Sequence, residues 1–210
     1  PLEGFGVFQV PDAALCEQSV TYALSAGYRL IDTAAAYFNE AAVGAAIRKS
    51  GIPREELFIT TKLWIQDQGY AHAKQAFEAS MENLGLDYLD LYLIHQPLGD
   101  YYGSWRAMEE LYRAGRVRAI GVSNFLPHHL ENLLEVCTVP PMVDQIEFHP
   151  GYVQWETVEF CRASQILVEA WSPLGRQRLA DDPLLAELAG YLDQAHTEVF
   201  PDPTEEPEEA

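Results

Sequence analysis

Two patterns of hydrophobic residues alternate along this chain, with short connections between them. Mostly apolar runs such as residues 57–62 and 89–95 end in a polar residue, which is typical of strands buried in a parallel sheet. Stretches such as residues 70–84 instead repeat apolar positions every three or four residues, which predicts helices with one buried face. Because parallel strands need long crossover connections, the alternation predicts a parallel sheet wrapped by helices.

The pattern predicts seven strands, at residues 4–8, 29–33, 57–63, 89–95, 119–123, 142–147 and 166–171. It predicts helices after them, at residues 11–26, 39–50, 70–84, 104–114, 127–136 and 156–164, and the start of another helix at 183–190. This order is that of an α/β protein of the (β/α)₈ TIM barrel class. Seven strands are one too few for such a barrel, and an open barrel would leave two strands with unpaired edges. A strand is therefore expected to be missing.

Four polar residues lie at the carboxyl end of a predicted strand or in the loop after it: Asp32, Tyr37, Lys62 and His95. This is the end at which a (β/α)₈ barrel assembles its active site. Singly, each has an ordinary explanation, as a turn residue, a packed aromatic, a solvated strand end or a loop histidine. Their coincidence at equivalent ends favours a catalytic set.

The four side chains form a set suited to proton transfer. Hydride delivery to a carbonyl carbon leaves negative charge on the oxygen, so a proton donor must lie close by. Tyr37 could supply the proton if the ammonium of Lys62 lowered the pKa of the phenol from its ordinary value near 10. Asp32 would keep Lys62 charged, and His95 would orient the carbonyl by a hydrogen bond. We therefore expect a reductase.

Composition narrows the class of protein. The net charge of −19 disfavours binding to nucleic acid or anionic membranes, and no apolar run is long enough to span a bilayer. An odd number of dispersed cysteines, without a signal peptide, predicts a cytoplasmic protein. The histidines His128, His129 and His149 lack the spacing of metal ligands, so no metal is expected. We expect one catalytic domain over residues 1–190, an acidic segment of the same domain over 191–210, and a monomer.

Six motifs occur in the order typical of one family. They cover residues 32–40, 59–64, 89–97, 120–125, 144–150 and 171–175, and together they resemble the aldo-keto reductases. Within that family they are most similar to bacterial-type aldehyde, diketogluconate and prostaglandin F synthase-like reductases. The resemblance implies a (β/α)₈ barrel that reduces aldehydes and ketones to alcohols with NADPH and without a metal.

The resemblance also implies contacts with the cofactor. Ser123, Asn124 and Gln145 would hydrogen-bond the nicotinamide carboxamide, and Trp171 would lie flat against the ring. The pyrophosphate would be wrapped by backbone groups, with a nearby cation, at Ser172, Leu174, Gly175 and either Arg176 or Arg178.

An apolar and aromatic substrate pocket is expected beside the catalytic set. Its members would be Phe8, Tyr37, Trp64, His95 and Trp105, with Tyr101 as a further candidate. Such walls discriminate poorly among aldehydes and ketones, so the sequence does not single out one substrate.

Three features of the family are missing from the sequence. These are an amino-terminal hairpin, an eighth strand ending in a Pro-Lys-Ser-like motif, and a helix with an arginine that grips the 2′-phosphate. We expect either a gap in the sequence near Gly190–Tyr191 or a genuine truncation.

Two other functions stay open. A catalytically silent nicotinamide-binding barrel could act as a regulatory subunit, although an intact catalytic set argues against it. Alternatively, Lys62 could form a Schiff base with a carbonyl substrate, as in barrel aldolases.

Overall fold

The computed structural model describes residues 1–177 and 182–190. The strands are β1 (Gly4–Gly6), β2 (Leu30–Asp32), β3 (Phe58–Leu63), β4 (Leu89–Ile94), β5 (Val117–Ser123), β6 (Val143–Glu147) and β7 (Leu167–Trp171). The helices are α1 (Ala13–Ser25), α2 (Glu40–Ser50), α3 (Tyr70–Leu84), α4 (Tyr101–Arg113), α5 (Pro127–Leu134) and α6 (Trp155–Ala163), and residues 183–190 are also helical.

The strands form one seven-stranded sheet in chain order, β1-β2-β3-β4-β5-β6-β7. The first six pair in parallel with their neighbours, as in the register of Asp32 with Thr60 and of Ser123 with Gln145. Sequential parallel pairing is the strand arrangement of a (β/α)₈ barrel. Because all these carboxyl ends lie at one edge, the polar residues that follow them are brought together.

Most predicted elements are confirmed, and the differences lie at their ends. Helix α3 has the predicted bounds, whereas α4 begins three residues earlier than predicted because the carboxylate of Asp100 accepts a hydrogen bond from Gly103 N at 2.8 Å. Strand β5 begins earlier because Val117 pairs with Leu89. Strand β1 ends at Gly6, and Phe8 therefore belongs to the loop after it.

The core is packed between the sheet and the helices. All six residues of β4 are buried, as expected for a strand in the middle of a parallel sheet. Helix α2 packs closely on α3 at Gly44, where an added β-carbon would lie 2.1 Å from the carbonyl oxygen of Leu84. This contact requires glycine for steric reasons.

The chain divides into two compact units. The first comprises Pro1–Ile146 and Gln154–Glu169, and the second comprises Glu147–Val153 and the chain from Ala170 onward. The predicted acidic segment at 191–210 lies outside the described residues, as does the possible junction after Gly190. Within residues 1–177 and 182–190, no helix is long and apolar enough to cross a membrane.

Candidate active site

The carboxyl ends of three neighbouring strands position the predicted catalytic residues. Asp32 ends β2, Lys62 lies one residue before the end of β3, and His95 follows β4 directly. Tyr37 ends the short 3-10 turn Ala35–Tyr37 that follows β2. All four belong to the first unit, and the structure brings them into one cluster.

Lys62 is the buried cation of this cluster. Its ammonium lies 2.5 Å from Asp32 Oδ1 and donates to the carbonyl of Thr33 at 3.0 Å, and its side chain is only 1% exposed. Burial would lower the pKa of Lys62, but the combined attraction of Asp32, Tyr37 and Glu169 raises the pKa above its ordinary value. Lys62 is therefore a fixed positive charge at neutral pH.

Tyr37 lies next to that charge. The Lys62 ammonium is 5.3 Å from the centre of the Tyr37 ring. Burial raises the pKa of Tyr37, and the attraction of Lys62 opposes this rise without cancelling it. The lowering effect predicted for Lys62 is therefore present, but the net pKa of Tyr37 lies above its ordinary value because the desolvation of the phenolate is the larger effect.

His95 is a neutral imidazole in this environment. Its ring lies 5.7 Å from that of Tyr37, edge to face. Burial, and then repulsion by Lys62, lower the pKa of His95 to about 3. Its buried Nδ1 has no hydrogen-bond partner among the described residues. A neutral imidazole can donate one hydrogen bond to a carbonyl oxygen without first losing a charge.

The residues that are predicted to contact the nicotinamide are hydrogen-bonded to the catalytic cluster. Ser123 Oγ donates to the carbonyl of Gln145 at 2.7 Å. Asn124 Nδ2 donates to the carbonyl of His95 at 3.0 Å and to Ser123 Oγ at 3.0 Å. Gln145 Nε2 donates to Asp32 Oδ2 at 2.9 Å. Two sets of residues that were predicted separately thus form one network.

Sequence reasoning missed one member of this network. Glu169, on β7, accepts a hydrogen bond from Gln145 Nε2 at 2.6 Å. Burial, and then the charge of Asp32, raise the pKa of Glu169 above its ordinary value. A glutamate inside an otherwise apolar predicted strand was the signal that could have identified it.

Backbone strain is concentrated near the same ends of the strands. Gln9, Phe38 and Asn124 follow β1, β2 and β5, and each has a φ between 57° and 62°. Such angles are costly for residues other than glycine, and they cluster at functional sites in folded proteins. Phe38 is also 93% exposed, directly after Tyr37.

Two of the rings predicted for the substrate pocket lie beside catalytic residues. The Phe8 ring lies 5.1 Å from that of Tyr37, and the Trp64 ring lies 5.0 Å from that of His95. Trp105 is a wrong prediction: it is 1% exposed, packs in the hydrophobic core and donates from its indole to the carbonyl of Val139 at 3.0 Å. The spacing of the aromatic residues along α4 does not indicate which face of the helix is buried.

Tyr101 also belongs to the core. It is buried, and its hydroxyl lies 3.0 Å from that of Tyr102. It is therefore not a wall of the predicted pocket.

The remaining predicted cofactor residues lie in the second unit. The guanidinium of Arg176 lies 5.6 Å from the centre of the Trp171 ring. Gly175 N donates to Ser172 O at 2.8 Å, and both residues have a positive φ, so the segment forms a tight turn in which Leu174 is exposed. Contacts with a pyrophosphate stay a prediction, and Arg178 lies outside the described residues.

The sequence matches one family over nearly all of its length. The profile described as the aldo/keto reductase family matches residues 5–196. This chain belongs to that family. The members of the family are NADP-dependent oxidoreductases with the (β/α)₈ barrel fold, and this chain is such an oxidoreductase, with seven strands in the order of that fold among its described residues.

Individual relatives agree with the assignment. A glyoxal reductase of Bacillus subtilis is 53% identical over 190 residues, which are 90% of this chain and 69% of that protein. A solved aldo/keto reductase of Brucella melitensis is 46% identical with a TM-score of 0.87, over 92% of this chain and 75% of that one. An aldo-keto reductase of Bombyx mori, solved in complex with NADP, is 35% identical with a TM-score of 0.85, over 92% and 72% of the two chains.

The residues of the first unit fit this cofactor in their chemistry. A hydroxyl and two amides, from Ser123, Asn124 and Gln145, provide the donors and acceptors that a carboxamide requires. They are hydrogen-bonded to the cluster that contains the candidate proton donor. Among residues 1–177 and 182–190, no group of three or more His, Cys, Asp or Glu side chains could hold a metal ion.

Proposed function

We propose that this aldo/keto reductase reduces aldehydes and ketones to alcohols with NADPH, with Tyr37 as the proton donor. The observation that carries the proposal is the cluster of a phenol, a buried ammonium paired to a carboxylate, and a neutral imidazole. The Lys62 ammonium lies 2.5 Å from Asp32 and 5.3 Å from the Tyr37 ring centre.

The residues of the chain act on the carbonyl oxygen. NADPH, when bound, supplies the hydride that is added to the carbonyl carbon. His95, neutral at pH 7, donates a hydrogen bond to the oxygen and orients it. Tyr37 transfers its phenolic proton to the same oxygen, which completes the alcohol, and the phenolate that remains is stabilised by the charge of Lys62.

The raised pKa of Tyr37 suits this role. Because burial favours the neutral phenol, Tyr37 is protonated and ready to donate when a substrate binds. As negative charge develops on the substrate oxygen, the fixed ammonium lowers the cost of forming the phenolate. Asp32 acts by keeping Lys62 protonated.

The substrates are proposed to be carbonyl compounds with an apolar part. The rings of Phe8 and Trp64 lie beside Tyr37 and His95 and would contact that part. Because a relative with 53% identity is a glyoxal reductase, glyoxal is a suitable first substrate, with an aromatic aldehyde as the apolar comparison.

The Schiff-base alternative is disfavoured by the state of Lys62. An amine must be neutral to attack a carbonyl, whereas the pKa of Lys62 is raised and its ammonium is held by Asp32 and by the carbonyl of Thr33. Borohydride trapping with substrate should leave Lys62 unmodified.

We further propose a cytoplasmic monomer. All three cysteines are free thiols, and Cys16 and Cys161 are buried, which suits a reducing compartment. Size-exclusion chromatography with light scattering tests the state of association.

The decisive test is Tyr37→Phe. Removal of the hydroxyl should leave NADPH binding within about twofold and lower kcat by roughly 10²–10⁴-fold, as is typical when an acid catalyst is lost. A variant that retains more than half of the wild-type kcat would show that Tyr37 is not the donor. If the wild type itself failed to reduce glyoxal and the aromatic aldehyde, a nicotinamide-binding protein without this chemistry would be favoured instead.

A further inference from the structure

Glu169 and Asp32 share one amide nitrogen. Gln145 Nε2 donates to Asp32 Oδ2 at 2.9 Å and to Glu169 Oε1 at 2.6 Å. Gln145 itself is buried, and the other carboxylate oxygen of Asp32 is paired with Lys62. Both side-chain hydrogen bonds that the Gln145 amide nitrogen donates therefore go to carboxyl groups.

The orientation of this amide is fixed by charge. Rotation by 180° about the last side-chain bond would place the carbonyl oxygen of Gln145 against Oδ2 of Asp32, the carboxylate that is ion-paired with Lys62, and these two oxygens would repel each other. The nitrogen must face the two carboxyl groups. The carbonyl oxygen is then the remaining polar atom of the side chain with which a bound molecule can pair.

The geometry points to a positioning role for Glu169. We propose that Glu169 holds the Gln145 amide so that its carbonyl oxygen accepts a hydrogen bond from the carboxamide N–H group of the nicotinamide. The inference rests on the proposed function, because the contact between Gln145 and the nicotinamide is part of it. Glu169 would not touch the cofactor or the substrate.

Asp32 alone would not hold the amide as firmly. Without Glu169, one N–H of a buried side chain would lose its acceptor, and a buried unpaired donor is unfavourable. The Gln145 amide would then rotate among several orientations, and only some of them present the carbonyl oxygen to a ligand. The expected loss falls on recognition of the carboxamide and leaves recognition of the rest of the cofactor intact.

A cofactor analogue isolates this one hydrogen bond. In the reduced 3-acetylpyridine analogue of NADPH a methyl ketone replaces the carboxamide, so the N–H donors are absent. We expect the wild-type protein to bind NADPH about 3–10-fold more tightly than the analogue, which is the range of one net hydrogen bond. Dissociation constants from tryptophan fluorescence quenching measure this preference without turnover.

Three substitutions at one position test the role of Glu169. Glu169→Ala should abolish the preference by weakening NADPH binding while leaving analogue binding within about twofold. Glu169→Gln should retain at least half of the preference, because its amide oxygen can still accept the hydrogen bond. If Glu169→Ala does not fold, Glu169→Leu removes the acceptor while retaining most of the volume.

Further variants separate this inference from general damage. Glu78→Gln, on an exposed glutamate that pairs with Arg116, makes the same chemical change elsewhere and should leave the preference intact. In a protein that already carries Gln145→Met, Glu169→Ala should change NADPH binding by less than about twofold, because the amide through which Glu169 is proposed to act is already absent.

Two results would overturn the inference. One is a wild-type protein that binds the two cofactors equally, and the other is a Glu169→Ala variant that keeps the full preference. Either result leaves the role of Tyr37 untouched, because that role is measured by turnover. A loss of turnover in Tyr37→Phe with no effect of Glu169→Ala on the preference would therefore reject this inference alone.

Discussion

Lys62 and Asp32 form an ion pair across the neighbouring strands β3 and β2, with Lys62 Nζ 2.5 Å from Asp32 Oδ1. The ammonium is almost fully buried, and such a charge is strongly unfavourable unless an opposite charge accompanies it. The second oxygen of Asp32 accepts from Gln145. Asp32 therefore connects Lys62, the cation beside the proposed proton donor, with Gln145, which is predicted to contact the nicotinamide.

Replacement of this cation is expected to impair catalysis and to shift its pH dependence. Lys62 opposes the rise in the pKa of Tyr37 that burial causes, so in Lys62→Met the pKa should rise further. Because reduction requires a protonated phenol, the basic limb of the pH–rate profile should move to higher pH. The maximal rate should fall by roughly 10²-fold or more. Steady-state kinetics from pH 6 to 11.5 measures both effects, because the pKa of Tyr37 already lies above its ordinary value near 10 in the wild type.

Lys74→Met is the matched control for that experiment. Lys74 is an exposed lysine that pairs with Glu110, so the same substitution there should alter neither the rate nor the profile. A pH profile that is the same in Lys62→Met and in the wild type would mean that the charge of Lys62 is not coupled to the proton donor.

The strand ends explain why much of the site could be predicted. A polar residue at the end of an apolar run shows both the strand and the edge of the sheet to which it points, which sufficed for Asp32, Lys62 and His95. The network of Gln145 and Asn124 was accessible only through the resemblance to a family, because an amide has no periodic signature.

Other properties depend on packing that the sequence does not display. Trp105 was misplaced because an aromatic residue on an amphipathic helix is equally compatible with a core and with a pocket. The net shift in the pKa of Tyr37 depends on the balance between burial and a nearby charge, which requires distances. Glu169 was missed because its partner lies 24 positions away in the chain and on a neighbouring strand.

Phe38 is expected to reduce the stability of the fold. Its φ of 57° lies in the left-handed region, which costs an ordinary residue about 1 kcal/mol, and its 93% exposed ring has little packing to lose. Asparagine tolerates this conformation, so Phe38→Asn should raise the free energy of unfolding by up to about 1 kcal/mol. Urea denaturation measures the change.

Phe38→Ala is the control for the backbone effect. Alanine removes the exposed ring but keeps a β-carbon in the same strained conformation, so no comparable gain is expected. An equal gain in both variants would assign the effect to the ring and not to the backbone.

Gly44 should tolerate no side chain. A β-carbon there would lie 2.1 Å from the carbonyl oxygen of Leu84, a backbone atom that moves only if α2 and α3 separate. Gly44→Ala should therefore lower the free energy of unfolding by about 1–3 kcal/mol, despite the better helix propensity of alanine. Gly6→Ala is the control, since no atom lies within 4 Å of its added β-carbon. Equal stability of the two variants would contradict the close packing of the helices.

Asp144 is a buried carboxyl group that forms no ion pair with the described residues. Its side chain is 0% exposed, Oδ1 has no partner among the described residues, and Cys161 Sγ lies 3.9 Å from Oδ2. Burial raises the pKa of Asp144 to about 8, although hydrogen bonds from Phe125 N and Cys161 oppose the rise. The folded protein therefore holds this proton at pH values at which the unfolded chain has released it.

Asp144→Asn should consequently change how stability depends on pH. The folded pKa is raised above the unfolded value near 3.9, so the contribution of Asp144 to stability is largest below about pH 4 and is lost as the pH rises to about 8. Asparagine does not ionise, so the contribution of this side chain to stability does not fall as the pH rises. The free energy of unfolding of the variant, relative to the wild type, should rise by up to about 1.4 kcal/mol for each pH unit between pH 5 and 7 and should level off above pH 8.

Urea denaturation at several pH values measures this difference. Asp12→Asn is the control, because Asp12 is an exposed helix cap and asparagine can also cap a helix. A difference between Asp144→Asn and the wild type that stays constant from pH 5 to 8 would show that Asp144 is ionised in the folded protein.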